Sequence, residues 1–287
     1  MSTIVKNIHI FKDGAWHPIK KVFKDSSWRT MKGIFYGGVW YEIGVTCTVM
    51  PDGCAVSTTV HPRWDENATY YGTNNFTLNI YPNGARFDNG SYNSIGIVAG
   101  LWHSDINEIG QRGYAGLRYN TGNVSISFGP DNKYAFGVRC VKDYTGSQPT
   151  GTILSNDYED GNNNTYDAVV INNQLWTTTN LYTTKYQDGT SIPNVTDTAT
   201  WAALTSGAYC WYDNDYSTYG QYYGALYNGY STDNLVDNNG YRVPSDADWT
   251  QLTNYLINTN WCNNIVVTSN NVAQFLKSCS QVNHPLA

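Results

Sequence analysis

Residues 241–249 read Tyr-Arg-Val-Pro-Ser-Asp-Ala-Asp-Trp. This stretch predicts a change from strand to helix. Ser245 is a favoured N-cap residue, and Asp248 three positions later can complete a capping box with it. The apolar residues that follow share one face of a helix: Trp249, Leu252, Tyr255 and Leu256. The segment therefore predicts an amphipathic helix that begins just after Ser245.

Working outward, the remaining signals are mostly those of short strands. Two further helices are predicted, one over 198–204 and one starting at Asn271. Alternating or continuous apolar runs predict strands at 76–80, 95–101, 114–119, 124–128, 135–141 and 168–171. Many short strands with two or three short helices indicate an irregular, β-rich α+β domain.

Composition excludes several classes of protein. The 287 residues carry 17 basic and 23 acidic side chains, a formal net charge of −6 without a basic cluster, which argues against nucleic acid as a partner. No apolar run reaches the 18 residues of a membrane span. The six cysteines contain no CxxC pair, so a zinc site is not expected. The sequence leaves open whether they form disulfides or remain buried thiols.

The first 43 residues contain a repeat of period 12. Phe recurs at 11, 23 and 35, and Trp at 16, 28 and 40, around polar or glycine-containing turns. Each unit predicts a small β-hairpin. A hairpin this short does not bury both faces by itself, so we expect residues 1–43 to dock on a partner or to wrap with copies of themselves. A small independent β-domain is the alternative interpretation.

These Phe-x4-Trp units resemble short repeats in tailed-phage virion proteins. The resemblance implies that the segment anchors the chain to a capsid or tail protein of a virion. The anchoring residues would be the repeated aromatics: Phe11, Trp16, Phe23, Trp28, Phe35 and Trp40.

The rest of the chain resembles the Fibrobacter major paralogous domain. Residues 160–249 resemble the first half of that family through segments that include 166–176, 192–197, 210–214 and 241–249. Residues 61–64, 82–86 and 136–143 resemble its second half. The family looks like a branch of the C-type-lectin-like fold shared with formylglycine-generating enzymes, so the resemblance implies an irregular lectin-like domain.

The two halves stand in inverted order. The sequence therefore suggests an anchoring segment 1–43, a late half 44–142, a linker 143–159 and an early half 160–287. Three arrangements fit: a circular permutation in which 54–142 and 160–287 form one domain, an exchange of halves between subunits, or a truncation at 287. Permutation is tolerated where termini lie close together.

No convincing catalytic constellation is found, and we expect a non-enzymatic protein. The five histidines are scattered, and nothing marks Cys140 as a reactive thiol. Hard oxygen donors that could suit calcium occur in two stretches: Asp157, Glu159, Asp160, Asn162 and Asn163, and then Asp213, Asn214 and Asp215. They lack the spacing of an EF-hand, so we expect a solvated acidic linker and no bound cofactor in preference to a calcium site.

Aromatic and amide side chains point instead to a binding surface. Residues 209–230 contain eight Tyr and one Trp, of which we expect about a third to face solvent. The lectin-like resemblance implies a ligand-binding face on the late half, formed by Trp102, His103, Arg112, Tyr114, Arg118, Tyr119, Asn120 and Asn123.

Together these features predict a homotrimeric fibre or decoration protein of a phage virion. It would bind a bacterial-surface or mucosal glycan, or a protein receptor, without contacting membrane or nucleic acid. The first residues lack the pattern of a secretory signal, and release by lysis would explain an outward-facing protein without one. The alternative is a bacterial cell-surface or extracellular polysaccharide-binding adhesin; an enzyme of the formylglycine type is a third interpretation.

Overall fold

The computed structural model describes residues 9–12, 15–18, 34–36, 39–41, 56–129, 131–236, 239–259, 261 and 265–285. The chain divides into two compact units. The smaller comprises residues 1–49 and 260–263, and the larger comprises residues 50–259 and 264–287.

The smaller unit contains two β-hairpins. Strand β1 (His9–Lys12) pairs antiparallel with β2 (Ala15–Pro18), and β3 (Ile34–Tyr36) pairs antiparallel with β4 (Val39–Tyr41). The register places Phe11 opposite Trp16 and Phe35 opposite Trp40. The hairpins predicted for the first and third repeats are therefore confirmed, whereas Phe23 and Trp28 of the middle repeat lie outside the described residues.

The larger unit is built mainly from two sheets. Its strands are β5 (Val56–Ser57), β6 (Asn83–Arg86), β7 (Tyr92–Ile95), β8 (Val98–Ile106), β9 (Arg112–Arg118), β10 (Ser125–Phe128), β11 (Ala135–Phe136), β12 (Val141–Asp143), β13 (Ile153–Glu159), β14 (Thr165–Ile171), β15 (Gln174–Thr177), β16 (Tyr209–Cys210), β17 (Leu226–Asn228) and β18 (Ser280–Gln281). An eight-stranded sheet has the order β10-β9-β8-β6-β11-β17-β16, with β7 also paired to β6. A four-stranded sheet has the order β12-β15-β14-β13.

A few short helices complete the unit. They are α1 (Thr198–Ala202), α2 (Gln221–Tyr223), α3 (Asp246–Asn258) and α4 (Val272–Leu276), with 3₁₀ turns at Tyr212–Asn214 and Gly229–Asn234 and a π-helical turn at Tyr216–Gly220. All three predicted helices are confirmed. Helix α3 has the predicted capping box, in which Ser245 and Asp248 each accept a hydrogen bond from the other's backbone N–H. The β-rich α+β class is thereby confirmed, and none of the described helices is long and apolar enough to cross a bilayer.

The two long segments of the chain meet within this single unit. Strands β16 and β17 extend the sheet that contains β6 to β11. Near the other end of the sequence, β18 pairs parallel with β5. The backbone of Trp64, whose side chain is buried, accepts a hydrogen bond from Val282 N and donates one to Ser280 O. Residues before 142 and after 160 therefore share one core in one chain.

Two sequence predictions were wrong in part. Residues 153–159, assigned to a linker, form strand β13 at the edge of the four-stranded sheet, where only Tyr158 is fully buried and a bulge interrupts the pairing. Residues 76–80 form no strand, because Thr77 and Asn79 have positive φ. Left-handed turns, and not an extended chain, bury Phe76, Leu78 and Ile80 there.

The predicted strand 135–141 is also broken. Only Ala135 and Phe136 belong to β11, and β12 begins at Val141. Between them, the carbonyls of Gly137, Val138 and Cys140 accept hydrogen bonds from the backbone N–H of Trp102 and from two residues of segment 177–181. The strands predicted near 114–119, 124–128 and 168–171 are confirmed as β9, β10 and β14.

Candidate functional site

The nine aromatic residues of 209–230 divide by exposure. Four are buried (Tyr209, Tyr212, Tyr223 and Tyr227), two are half-buried (Trp211 and Tyr219) and three are exposed (Tyr216, Tyr222 and Tyr230). The predicted one third therefore faces solvent. The exposed fractions of Tyr216 and Tyr222 are 50% and 48%, which leaves about half of each side chain accessible to a ligand.

Five side chains form what we call the aromatic patch: His61, Trp211, Tyr216, Tyr219 and Tyr222. The ring centroids of Trp211 and Tyr216 lie 4.8 Å apart with an edge-to-face tilt. Those of His61 and Tyr219 lie 5.3 Å apart in a similar arrangement. Edge-to-face packing is a favoured arrangement of aromatic rings, so these two contacts restrict the orientations of four of the five side chains, all except Tyr222.

The chain before the patch folds through polar residues with unusual backbone angles. Asp213 and Asn214 both have positive φ, which reverses the chain after Tyr212. Asp215 then caps the π-helical turn, because its carboxylate accepts hydrogen bonds from Thr218 N (2.9 Å) and Ser217 Oγ (2.7 Å). This local cap fixes the start of the helical turn that carries Tyr216, which is exposed, and Tyr219, which is half-buried.

Gly220 allows the rings to pack closely. A Cβ atom at this position would lie 2.8 Å from both Trp211 Cε3 and Tyr216 Cδ2. That separation is shorter than van der Waals contact, so any larger residue must displace one of the two rings. The glycine is thus required by close approach of the aromatic side chains.

The His61 side of the patch is supported by hydrogen bonds to buried Tyr223. The Oη atom of buried Tyr223 lies 2.7 Å from His61 Nδ1 and accepts a hydrogen bond from Arg63 N at 3.0 Å. Tyr223 Oη and His61 Nδ1 therefore share a hydrogen bond whose direction is set by the tautomer of His61. Burial, aided by the charge of Arg63, lowers the pKa of His61 below its ordinary value. These contacts join two regions about 160 residues apart in sequence.

The charges around the patch are negative or already paired. Hydrogen bonds from Thr218 and Ser217 lower the pKa of Asp215 to about 2, so it is ionised at neutral pH. Asp213 is exposed. The guanidinium of Arg63 bonds Asp65 Oδ1 at 2.8 Å and Thr59 O at 3.0 Å, so its positive charge is already paired with a carboxylate.

Three of the predicted ligand-binding residues lie inside the fold. Trp102 is buried and donates from Nε1 to Tyr227 O at 2.7 Å. His103 is buried, with its ring edge-to-face against Phe128. Their interior positions argue against direct ligand contact.

Arg112 is buried as well. It bonds Gly229 O, Ser104 O and the carboxylate of Asp233. It holds the ends of β8 and β9 against the turn at Gly229–Asn234. The physical reason for these misplaced predictions is that the partner of Trp102, and two of the three partners of Arg112, lie more than 100 positions later in the chain.

The other five predicted residues do not gather into one face. Tyr114 is half-buried against Phe136, with ring centroids 4.9 Å apart. The remaining four lie at the far end of β9 or beyond it, half-buried at Tyr119 and exposed at Arg118, Asn120 and Asn123. Six residues of strand separate Arg112 from Arg118, a distance of about 20 Å. The structure therefore does not bring the eight residues together.

The oxygen donors considered for calcium have structural contacts. Asp160 Oδ1 accepts from the backbone N–H of Asn162 and Asn164, and Oδ2 accepts from Tyr166 Oη at 2.6 Å. Asp157 Oδ2 accepts from Tyr241 Oη. Among the described residues no group of three His, Cys, Asp or Glu side chains is arranged to hold a metal ion.

The described cysteines are not exposed nucleophiles. Cys140 and Cys210 are buried free thiols, and burial raises the pKa of Cys140 well above its ordinary value and that of Cys210 to about 11. Cys279 is disulfide-bonded. The chain therefore contains both buried free thiols and a disulfide-bonded cysteine, the two alternatives that the sequence left open.

Part of the larger unit matches a known protein family. Residues 169–286 match the Fibrobacter succinogenes major domain. The match covers 118 of the 287 residues. It runs from within β14 to beyond β18 and includes four of the five residues of the aromatic patch, all except His61. No curated protein and no solved structure matches the chain.

Proposed function

We propose that this protein is a non-enzymatic adhesive protein whose larger unit, a lectin-like domain, binds a glycan through the aromatic patch. The observation that carries the proposal is the pair of half-exposed tyrosines, Tyr216 and Tyr222, on a segment whose backbone is fixed by the Asp215 cap. Aromatic rings stack on the apolar faces of sugar rings, and rigid rings lose little conformational entropy when they do so.

Polar groups around the rings support the same proposal. Exposed Ser217, Thr218 and Gln221 lie on the same helical segment as the tyrosines. Hydroxyl and amide groups exchange hydrogen bonds with sugar hydroxyls. The surface combines apolar rings with several neutral hydrogen-bond donors and acceptors. As a ligand, a glycan suits such a surface better than a flat, apolar protein partner does.

The three described histidine side chains favour a structural role over catalysis. His61 is bonded to Tyr223, and His103 packs on Phe128. His284 Nε2 lies 2.8 Å from Gly72 O in a buried position. The hydroxyl that His61 contacts, Tyr223 Oη, is buried and burial raises its pKa, which does not suit a nucleophile.

We further propose that the hairpins of the smaller unit attach the chain, as a homotrimer, to a phage virion. The described hairpins support a repeated docking element, because both place Phe and Trp directly opposite each other in the same register. Two hairpins with the same pairing geometry suit repeated contacts on a particle surface.

Two experiments test this function. The full-length protein, applied to a broad glycan array, should bind a restricted set of glycans, and a blank array would refute glycan binding. Antibodies should detect the wild-type protein on density-purified phage particles. They should not detect the variant in which Trp16, Trp28 and Trp40 are replaced by alanine. Detection on bacterial cells and not on particles would favour the bacterial adhesin.

A further inference from the structure

The charges around the aromatic patch bear on which glycans it accepts. Two carboxylates, Asp213 and Asp215, stand immediately before the first exposed tyrosine, Tyr216. Asp213 is exposed, and Asp215 stays ionised because its own turn stabilises the carboxylate. An acidic sugar that stacked on Tyr216 would bring its charge close to both.

The basic groups next to the patch do not compensate for these carboxylates. Arg63 directs its guanidinium to Asp65 Oδ1 and Thr59 O. Burial, aided by the charge of Arg63, lowers the pKa of His61, so this side chain carries little charge at neutral pH. A sugar carboxylate or sulfate near Arg63 would therefore meet a cation whose charge Asp65 already balances, and not a free cation.

From this arrangement we infer that the patch selects neutral glycans and rejects their sialylated, sulfated and uronic-acid counterparts. The inference rests on the proposed function, and it adds the chemical class of the ligand. Two like charges separated by roughly 6 Å in water weaken binding about threefold, so two carboxylates disfavour an acidic sugar by about tenfold. Salt should reduce this discrimination, because the carboxylates are near solvent.

The test compares matched glycans on the full-length protein. An array that carries neutral oligosaccharides beside their sialylated, sulfated and uronic-acid counterparts should show stronger binding to each neutral member than to its acidic counterpart. Titration of the best neutral oligosaccharide and of its acidic counterpart should give dissociation constants that differ about tenfold at low salt. The variant with Asp213→Asn and Asp215→Asn, in which asparagine can still cap the turn, should bring the two constants close together.

The outcomes separate this inference from the proposed function. Acidic counterparts that bind as well as or better than the neutral members would overturn the inference and leave glycan binding intact. An unchanged ratio of the two constants in the double variant would also overturn it. Absence of binding to every glycan would overturn both the proposed function and the inference that rests on it.

Discussion

Replacing Arg139 by methionine tests whether the larger unit is held together by a buried cation. Arg139 is buried, and its guanidinium makes four hydrogen bonds, each 2.6 Å long. Its acceptors are Leu78 O, Asn79 O, Thr177 O and Asn180 Oδ1. One side chain thus links residues from both long segments of the chain.

The expected loss of stability follows from these four acceptors. Methionine retains most of the apolar volume but makes none of the bonds, and an unsatisfied buried acceptor costs about 1–3 kcal/mol. Removal of the buried cation returns several kcal/mol of desolvation free energy. The difference predicts a fall of about 3–5 kcal/mol in the free energy of unfolding, a large share of the ~5–15 kcal/mol typical of a folded domain.

The assay is urea unfolding of the full-length protein followed by the fluorescence of its 10 tryptophans. Arg118→Met is the matched control, because Arg118 is exposed on β9, and its replacement should change stability by no more than about 0.5 kcal/mol. If Arg139→Met unfolds within about 1 kcal/mol of the wild type, the buried bonds do not hold the two segments together as argued.

Three further predictions concern the patch and two titrating groups. Gly220→Ala should weaken glycan binding about tenfold by displacing Trp211 or Tyr216, measured by titration calorimetry, while the circular dichroism spectrum stays native. Lys277 is buried and its pKa is lowered by burial to about 7, so above pH 7 the unfolded chain binds more protons than the folded one. Stability should therefore rise by about 2–3 kcal/mol from pH 7 to pH 9, and Lys277→Met should remove that rise. The lowered pKa of His61 means that stability falls as the pH drops from 7 to 5, because the unfolded chain then binds more protons than the folded one. His61→Gln should flatten this dependence.

Each of these predictions has an outcome that contradicts it. Native affinity in Gly220→Ala would show that Trp211 and Tyr216 do not contact the ligand. A pH profile of Lys277→Met that parallels the wild type between pH 7 and pH 9 would assign the rise to other groups. Lys185→Met, at a half-buried position, serves as the control for charge removal. If the stability of His61→Gln falls between pH 7 and pH 5 as steeply as that of the wild type, the prediction that His61 causes this fall is contradicted.

The sequence predicted best those features whose partners lie close together along the chain. The helix at Asp246–Asn258 was predictable because Ser245 and Asp248 satisfy each other across three residues. The hairpins were predictable for the same reason, since Phe11 and Trp16 are five residues apart. Strand β13 was missed because an edge strand buries few side chains and its acidic composition is typical of a loop.

The binding site was harder to predict, because its contacts are distant in sequence. Composition indicated how many tyrosines in 209–230 would be exposed, yet only the packing shows that Tyr216 and Tyr222 are among them. His61 gave no signal beyond its proline neighbour, and its role depends on a hydrogen bond to Tyr223. Trp102 was predicted to be a ligand contact, yet Tyr227 accepts its indole proton within the core.

Glycan affinity of the patch variants tests the central claim most directly. The best ligand from the array is titrated into the wild type, Tyr216→Ala, Tyr222→Ala and the control Tyr230→Ala, which removes an exposed tyrosine from the Gly229–Asn234 turn outside the patch. Loss of an aromatic contact costs more than about 1 kcal/mol, so both patch variants should bind about tenfold more weakly while Tyr230→Ala binds like the wild type. Equal affinity in all four proteins would show that the glycan binds elsewhere and that the aromatic patch is not the site.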